Sequence, residues 1–142
     1  MKETNRTSRT LRRHTALVLA LCAAPAAWAA DITKANNGAD LDLTTSWTNG
    51  VAPTFGDVAV WDSTVSSATS AAIGASTVFN ADAIRFLNPA NNFTITGGPF
   101  DTLSLYTNNV AIDMSAATVN LTLNCNVNVA APQFYRVASG RT

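Results

Sequence analysis

Apolar and polar side chains alternate strictly between Val119 and Val129. Valine, leucine or cysteine occupies every second position of this segment, and asparagine or threonine occupies the positions between them. A period of two places the apolar side chains on one face of a β-strand and the polar ones on the other, whereas a helix would scatter both sets around its axis. The pattern therefore predicts a strand from Val119 to Val129.

Shorter stretches repeat this alternation between Val58 and Met114. Turn-forming residues, such as Thr48-Asn49-Gly50 and Thr96-Gly97-Gly98-Pro99, separate them into short strands. The Ala-rich stretch from Ser67 to Ala75 is dense in serine and threonine and contains a glycine, which favours loop and strand over helix. The sequence therefore predicts an all-β protein.

The spacing of the alternating segments bears on the architecture. From Phe79 onward they recur at intervals compatible with coils of roughly 20 to 25 residues, as in β-solenoids. Abundant asparagine, serine and threonine could stack in ladders between such coils. These features fit the first coils of a β-solenoid, but a β-sandwich or a barrel stays open, because alternation alone does not separate the three.

Residues 1–29 have the features of a signal peptide. Five basic residues precede the apolar run from Ala16 to Ala24, and Ala27-Trp28-Ala29 offers small residues at both recognition positions of a signal peptidase. A membrane span needs roughly 20 apolar residues, and Pro25 ends this run too early. We expect cleavage before Ala30, export to the cell surface, periplasm or exterior, and no membrane span in the mature chain.

The charge of residues 30–142 argues against two classes of partner. Four basic residues face eight aspartates, which gives a net charge of −4. So few cations provide a poor electrostatic footprint for nucleic acid or anionic lipid. We expect a single domain over residues 30–142 that binds neither.

Several catalytic residue types do not occur after residue 29. The only histidine is His14, the only glutamate is Glu3, and Cys125 is the only cysteine beyond the signal peptide. A Ser-His-Asp or Cys-His arrangement, a histidine-based zinc site and an internal disulfide are therefore ruled out for residues 30–142. We expect no enzyme activity and no cofactor.

Two stretches resemble a known family. SWTNGVAPTFGDVAVWDST, residues 46–64, resembles the opening of bacterial autotransporter-associated β-strand repeat proteins, and FNADAIRFLNPANNFTITGG, residues 79–98, is similar to the coil that commonly follows. FYRVASG, residues 134–140, resembles the start of a further coil. The resemblance implies a right-handed parallel β-helix that serves as an exported passenger or adhesin. Because members are usually much longer, it also implies a passenger-type domain that is incomplete at its C-terminus.

Two groups of residues are candidates for binding sites. Asp40 and Asp42 are the only closely spaced carboxylates and could offer oxygen ligands to calcium, although they could equally lie on the solvated face of a first strand. Trp47 and Trp61 could stack on sugar rings, as could Tyr106 and Tyr135, although large aromatic side chains more often serve packing. The alternative to a passenger or adhesin is therefore a carbohydrate-binding or carbohydrate-active β-domain. The possible partners are surface glycans, or further copies of the chain that associate through strand edges.

Overall fold

The computed structural model describes residues 29–142. The predicted signal peptide lies outside the described residues except for Ala29. Within them there are eleven strands: β1 Asp31–Thr33, β2 Val58–Trp61, β3 Ser70–Ala72, β4 Val78–Ala81, β5 Ala83–Phe86, β6 Phe93–Thr96, β7 Thr102–Leu105, β8 Val110–Met114, β9 Leu121–Asn124, β10 Asn126–Val129 and β11 Phe134–Val137. The helical structure in this part of the chain is one 3-10 turn, Thr44–Ser46. No helix within residues 29–142 has the length and apolarity needed to cross a membrane.

The strands form three parallel sheets. The first sheet has the order β1-β2-β5-β8-β11, the second β3-β6-β9 and the third β4-β7-β10. The chain thus visits each sheet once per coil: β2, β3 and β4 form coil I, β5, β6 and β7 form coil II, and β8, β9 and β10 form coil III. Strand β1 precedes these coils and β11 follows them.

The register shows how closely the coils repeat. In the third sheet Val78 pairs with Thr102, and Thr102 pairs in turn with Asn126 after an interval of the same length. The intervals in the other two sheets vary more: Ser70 pairs with Thr94 after the same interval, whereas the pairing of Phe93 with Leu121 spans a longer one. The structure is therefore a β-solenoid of about 4 turns, which confirms the predicted all-β parallel β-helix over the alternative sandwich.

The core runs along the inside of this solenoid. Apolar side chains of all three sheets point inward, and those of coil II are fully buried: Ile84, Phe86, Phe93, Ile95, Leu103 and Leu105. Each layer of side chains packs on the layers of the coils above and below. Neighbouring coils thus provide the burial that one coil could not achieve alone.

Residues 34–57 cover the front of the core, before coil I. Trp47 stacks on Phe79 with ring centroids 5.7 Å apart and packs edge-on against Trp61 at 5.8 Å. Leu41 is fully buried, and its N–H donates to the Ala72 carbonyl at the edge of the second sheet. We call this segment the front cover.

One alternative interpretation of the acidic pair was wrong. Asp40 and Asp42 do not lie on one face of a strand, because residues 41–43 form a turn before the 3-10 turn. Leu41 faces the core, but Leu43 has 48% of its surface exposed rather than pointing inward. The turn exists because this segment crosses the end of the solenoid and does not continue around it.

The long alternating segment is two strands where the sequence predicted one. Strands β9 and β10 belong to different sheets, and the chain bends between them at Cys125. A Cβ added to Gly97 would lie 2.9 Å from the Cys125 Cβ atom, so the corners of coils II and III are in close contact. Alternation continues through a one-residue corner, which is why periodicity could not reveal the bend.

Asparagine side chains connect successive coils at the corner between the first and second sheets. The Asn36 Oδ1 accepts hydrogen bonds from the backbone N–H of Ser66 at 3.1 Å and from those of the two residues that follow it. The Asn92 Oδ1 accepts from the Asn120 N–H at 2.9 Å, and the Asn120 Oδ1 accepts from the Thr142 N–H at 3.3 Å. Each amide thus satisfies backbone donors in the following coil, and we call the set the asparagine corner.

Replacing Asn36 with alanine should destabilise the chain by about 1–3 kcal/mol, because three backbone N–H groups lose their acceptor. Urea denaturation followed by circular dichroism measures the free energy of unfolding. Asn108→Ala is the matched control, since Asn108 is exposed and makes none of these contacts. Equal losses in the two variants would contradict the role of the asparagine corner.

Cys125 combines partial burial with a perturbed thiol. Burial raises the pKa of the Cys125 thiol, and the nearby Asp101 carboxylate raises it further, while a backbone hydrogen bond involving Leu103 acts in the opposite direction. Because the thiolate is the reactive form, a raised pKa lowers the reactivity of the cysteine at neutral pH.

Native Cys125 should therefore react more slowly with a polar disulfide reagent than the same thiol in the denatured chain. Its labelling rate should reach half of its maximum at a higher pH in the native protein. Stopped-flow absorbance with and without guanidinium measures both quantities. Equal rates in the two states would place this thiol in open solvent.

Candidate functional site

The front edge of the third sheet is open over part of its length. In the first sheet β1 pairs with β2, and in the second Leu41 bonds to the edge of β3. Strand β4 pairs with β7 on one side but with no strand of residues 29–142 on its front side. An edge strand of this kind presents backbone groups that can bond to another chain.

The directions of the β4 backbone groups follow from their neighbours. Residues of a strand alternately direct their N–H and C=O groups to opposite sides. The Ala81 carbonyl accepts from the Tyr106 N–H on the β7 side, whereas the Asp82 N–H donates to the Asp57 carbonyl, 2.7 Å away in the front cover. The backbone groups of Val78 and Asn80 therefore face the front edge, as the Asp82 N–H does.

Two hydrogen bonds bracket these edge-facing residues. At one end the Ser76 N–H donates to the Asp42 Oδ2 at 3.1 Å, and at the other Asp82 bonds to the front cover. Between them the Val78 carbonyl accepts the Ser76 hydroxyl at 3.2 Å. The N–H of Val78 and both backbone groups of Asn80 have no hydrogen-bond partner within the described part of the chain.

A groove of about 550 Å³ lies along this edge. Its walls are formed by strand β4 on one side and by the front cover on the other, with lining residues that include Asp42, Pro53, Phe55, Val78, Asn80 and Tyr106. The volume lies within the range of ligand pockets, and the lining combines apolar surface with a few polar groups. We call it the β4 groove.

Phe55 is held at the rim of the β4 groove by a tight turn. The Asp57 Oδ2 accepts hydrogen bonds from the Thr54 N–H at 2.9 Å and from its hydroxyl at 2.8 Å. Gly56 has a φ of 93°, a backbone conformation that residues other than glycine rarely adopt. This turn places Phe55 at the rim with 71% of its surface exposed.

Tyr106 supports Phe55 from coil II. The two rings meet edge to face with centroids 5.0 Å apart, a favourable geometry for an aromatic pair. The Tyr106 hydroxyl donates to the Asn80 Oδ1 at 3.0 Å. The aromatic pair and this amide thus form one connected wall.

Asp42 supplies the negative charge of the β4 groove. Its Oδ1 is buried and receives no hydrogen bond from any described residue. A Cβ at residue 74 would lie 2.0 Å from this atom, so Gly74, with a φ of 108°, permits the carboxylate to lie here. The carboxylate therefore carries a negative charge that is compensated by the Ser76 N–H at Oδ2 but by no hydrogen bond at Oδ1 among the described residues.

The two predicted metal ligands, Asp40 and Asp42, lie in different environments. Asp42 lines the β4 groove, whereas Asp40 does not. Within residues 29–142 no group of three or more carboxylate, histidine or cysteine side chains is placed to hold a metal ion. The arrangement brings Asp42 together with Phe55 and Tyr106 and not with a second acidic residue.

The two tryptophans proposed for sugar stacking lie in the core. Trp47 is 2% exposed and Trp61 is fully buried, so neither indole has a free face for a sugar ring in this structure. Their contacts are the packing contacts that the sequence offered as the alternative. Of the tyrosines, Tyr106 reaches the β4 groove, and Tyr135 is exposed on β11.

Sequence reasoning did not select Phe55 or Asn80 as site residues. Phe55 lies between Thr54 and Gly56, and an aromatic residue inside a turn signal is a clue that it is exposed. Asn80 occupies a polar position of a strand and had no distinguishing feature. Its importance comes from facing an edge without a neighbouring strand, which depends on the tertiary fold.

Lys34 is an unexpected polar residue inside the front cover. It is fully buried, and its Nζ donates to the Ala35 and Asn37 carbonyls at 3.1 and 2.9 Å and to the Asn37 Oδ1 at 3.0 Å. Burial lowers the pKa of Lys34 from 10.5 to about 8. Desolvation thus outweighs the three hydrogen bonds, which favour the ammonium form.

The free energy of unfolding should rise by about 1–3 kcal/mol as the pH increases from 8 to 10.5. Over this interval the folded chain has released the Lys34 proton while the unfolded chain still binds it, so raising the pH favours the folded state. Urea titrations across this range measure the effect. Lys34→Met should remove this contribution, and an unchanged slope in that variant would assign the pH dependence to other groups.

Comparison of the chain with protein-family models, with curated proteins and with solved structures finds no match. The description of the fold and of the β4 groove therefore depends on the structure of this chain alone. The resemblance to autotransporter-associated repeat proteins stays a prediction from the sequence.

Proposed function

We propose that this chain is a non-catalytic, exported segment of a bacterial β-solenoid protein, with a structural or adhesive role as part of a passenger region. The observation that carries the proposal is the difference between the two ends of the solenoid. The front cover buries the core before coil I, while the other end presents core-type residues to solvent.

The pairing of the last strands with buried strands identifies the exposed core-type residues. Val127 and Val129 of β10 pair with Leu103 and Leu105 of β7, which are fully buried. The two valines have the same inward register but are 38% and 47% exposed, because no further coil packs on them within residues 29–142. On β11, Phe134, Tyr135 and Val137 are 67%, 53% and 48% exposed. We call these five residues the rear face.

The rear face has the geometry to receive another coil. No described strand pairs with the rear edges of β9, β10 and β11, although the Leu121 N–H at the start of β9 donates to the Thr142 carbonyl. Parallel strands could extend each sheet with the spacing of the existing coils. A solenoid that grows by such additions supplies a long, regular surface, which suits a structural or adhesive role.

Sequence features support export and the lack of catalysis. The basic segment, apolar run and small-residue triplet of residues 1–29 are typical of a signal peptide. The remaining chain contains no histidine or glutamate for general acid-base chemistry. The resemblance of residues 46–64 and 79–98 to autotransporter-associated repeats agrees with both points.

Carbohydrate binding is the second candidate function, and one observation favours it. The exposed Phe55 and the half-buried Tyr106 form an aromatic pair beside the Asp42 carboxylate and the Asn80 amide. Aromatic surface flanked by polar side chains can bury the C–H face of a sugar and bond to its hydroxyl groups. This role would belong to the β4 groove and not to the buried tryptophans.

The proposed role predicts that the chain associates through the rear face. Sedimentation velocity should show an average mass that rises with protein concentration. Val129→Lys should weaken this association by about tenfold, because it places a charge among apolar contacts and on a free strand edge. Appending further coils of the same kind should suppress it.

Val51→Lys is the matched control, because Val51 is 54% exposed but lies at the front of the solenoid. It should leave the association unchanged. A wild-type chain that stays monodisperse at all concentrations, or an equal effect of the two lysine variants, would contradict a rear face that recruits further coils.

A further inference from the structure

The free part of the β4 edge is short and well defined. It extends from the Ser76–Asp42 hydrogen bond to the Asp82–Asp57 hydrogen bond, a strand length of about 20 Å. Between these points Val78 and Asn80 direct three backbone groups toward the β4 groove without partners among the described residues. The polar surface at the base of the groove is therefore largely main chain.

We propose that the β4 groove binds a short extended peptide of a partner protein as an additional strand beside β4. This inference rests on the adhesive part of the proposed function and specifies its ligand. The peptide supplies a carbonyl for the N–H of Val78, and an N–H and a carbonyl for the two backbone groups of Asn80. Phe55 and Tyr106 contact its apolar side chains.

The spacing of the free groups favours a peptide over a sugar. Val78 and Asn80 are two residues apart on one strand, so their free groups repeat at about 6.6 Å. A second extended main chain presents complementary donors and acceptors at the same interval, which is how peptides add to sheet edges. The two aromatic rings meet at 77°, so Phe55 and Tyr106 do not form one flat platform for a sugar ring.

The charge of the groove favours a peptide with a basic residue at the end that lies near Asp42. The Asp42 carboxylate receives the Ser76 N–H, while its Oδ1 receives no hydrogen bond from the described residues. Lys34 donates its three hydrogen bonds within the front cover instead. A lysine or arginine of the peptide near Asp42 would be attracted to this unpaired charge.

Selection from a phage-displayed library of random linear hexapeptides tests the inference with the full-length chain as bait. We expect sequences with alternating apolar residues and a terminal basic residue to be enriched. The most enriched sequence is then synthesised with a fluorescent label, and its dissociation constant is measured by anisotropy. Protein concentrations are kept where the chain is monodisperse.

Two protein variants distinguish binding in the β4 groove from non-specific binding to exposed apolar surface. Phe55→Ala should raise the dissociation constant by about tenfold, because it removes an exposed aromatic contact. Phe100→Ala is the matched control, since Phe100 is 84% exposed but does not line the groove, and it should change the constant by less than about twofold. Equal effects of the two variants would overturn the assignment of the site.

Two further measurements examine strand pairing. N-methylation of the peptide amide that faces β4 removes one hydrogen bond and should abolish binding, whereas N-methylation of the next amide should not. Amide exchange of Val78 and Asn80, followed by nuclear magnetic resonance, should slow in the complex. Tolerance of both N-methyl groups, or unchanged exchange at both residues, would overturn the pairing.

A glycan array probed with the same chain provides the alternative outcome. Glycan binding that is lost in Phe55→Ala, together with no enriched peptide, would overturn the peptide assignment in favour of a sugar. Association through the rear face is measured independently of the groove. A chain that gains coils normally but binds no peptide would therefore refute this inference and leave the proposed structural role intact.

Discussion

The stacking of one coil on the next is the constraint on which the rest of this structure depends. A single coil forms no hydrogen bonds between its own three strands, because each strand belongs to a different sheet. Its ladder partners lie in adjacent coils, and those coils also cover its inward apolar side chains from above and below. Both the hydrogen bonds and the core therefore arise between coils, and the two ends of the solenoid are where this arrangement must be modified.

The front cover provides hydrogen-bond partners for only part of the exposed sheet edges before coil I. The β4 groove lies where these partners are missing. The front cover replaces a missing strand at the edge of the second sheet through Leu41 and contacts the third sheet at Asp82. It does not follow β4 at Val78 and Asn80. A segment that crosses the end of a solenoid cannot satisfy three differently oriented sheet edges at once. The candidate site is thus a direct consequence of how the end is closed.

Much of the architecture could be predicted because alternation and coil spacing are local properties of the sequence. The strand positions around Ile84, Leu103 and Val127 followed from alternation, whereas the choice of a solenoid over a sandwich also needed the family resemblance. The bend at Cys125 could not be predicted, because alternation is unchanged by a one-residue corner. The β4 groove was also inaccessible to sequence reasoning, since Asp42, Phe55 and Asn80 come together only through the path of the front cover. The buried tryptophans show that residue type alone does not indicate exposure.

The arrangement of the coils also determines how the molecule would respond to mechanical load. Force applied along the solenoid axis acts parallel to the hydrogen bonds of the ladders, so they open one after another and are not sheared together. Each coil that detaches from the rear would release about 80 Å of chain. The asparagine corner adds side-chain hydrogen bonds between successive coils at one corner of the solenoid. Under tension such a chain would lengthen in steps, with the coils behind each break still folded.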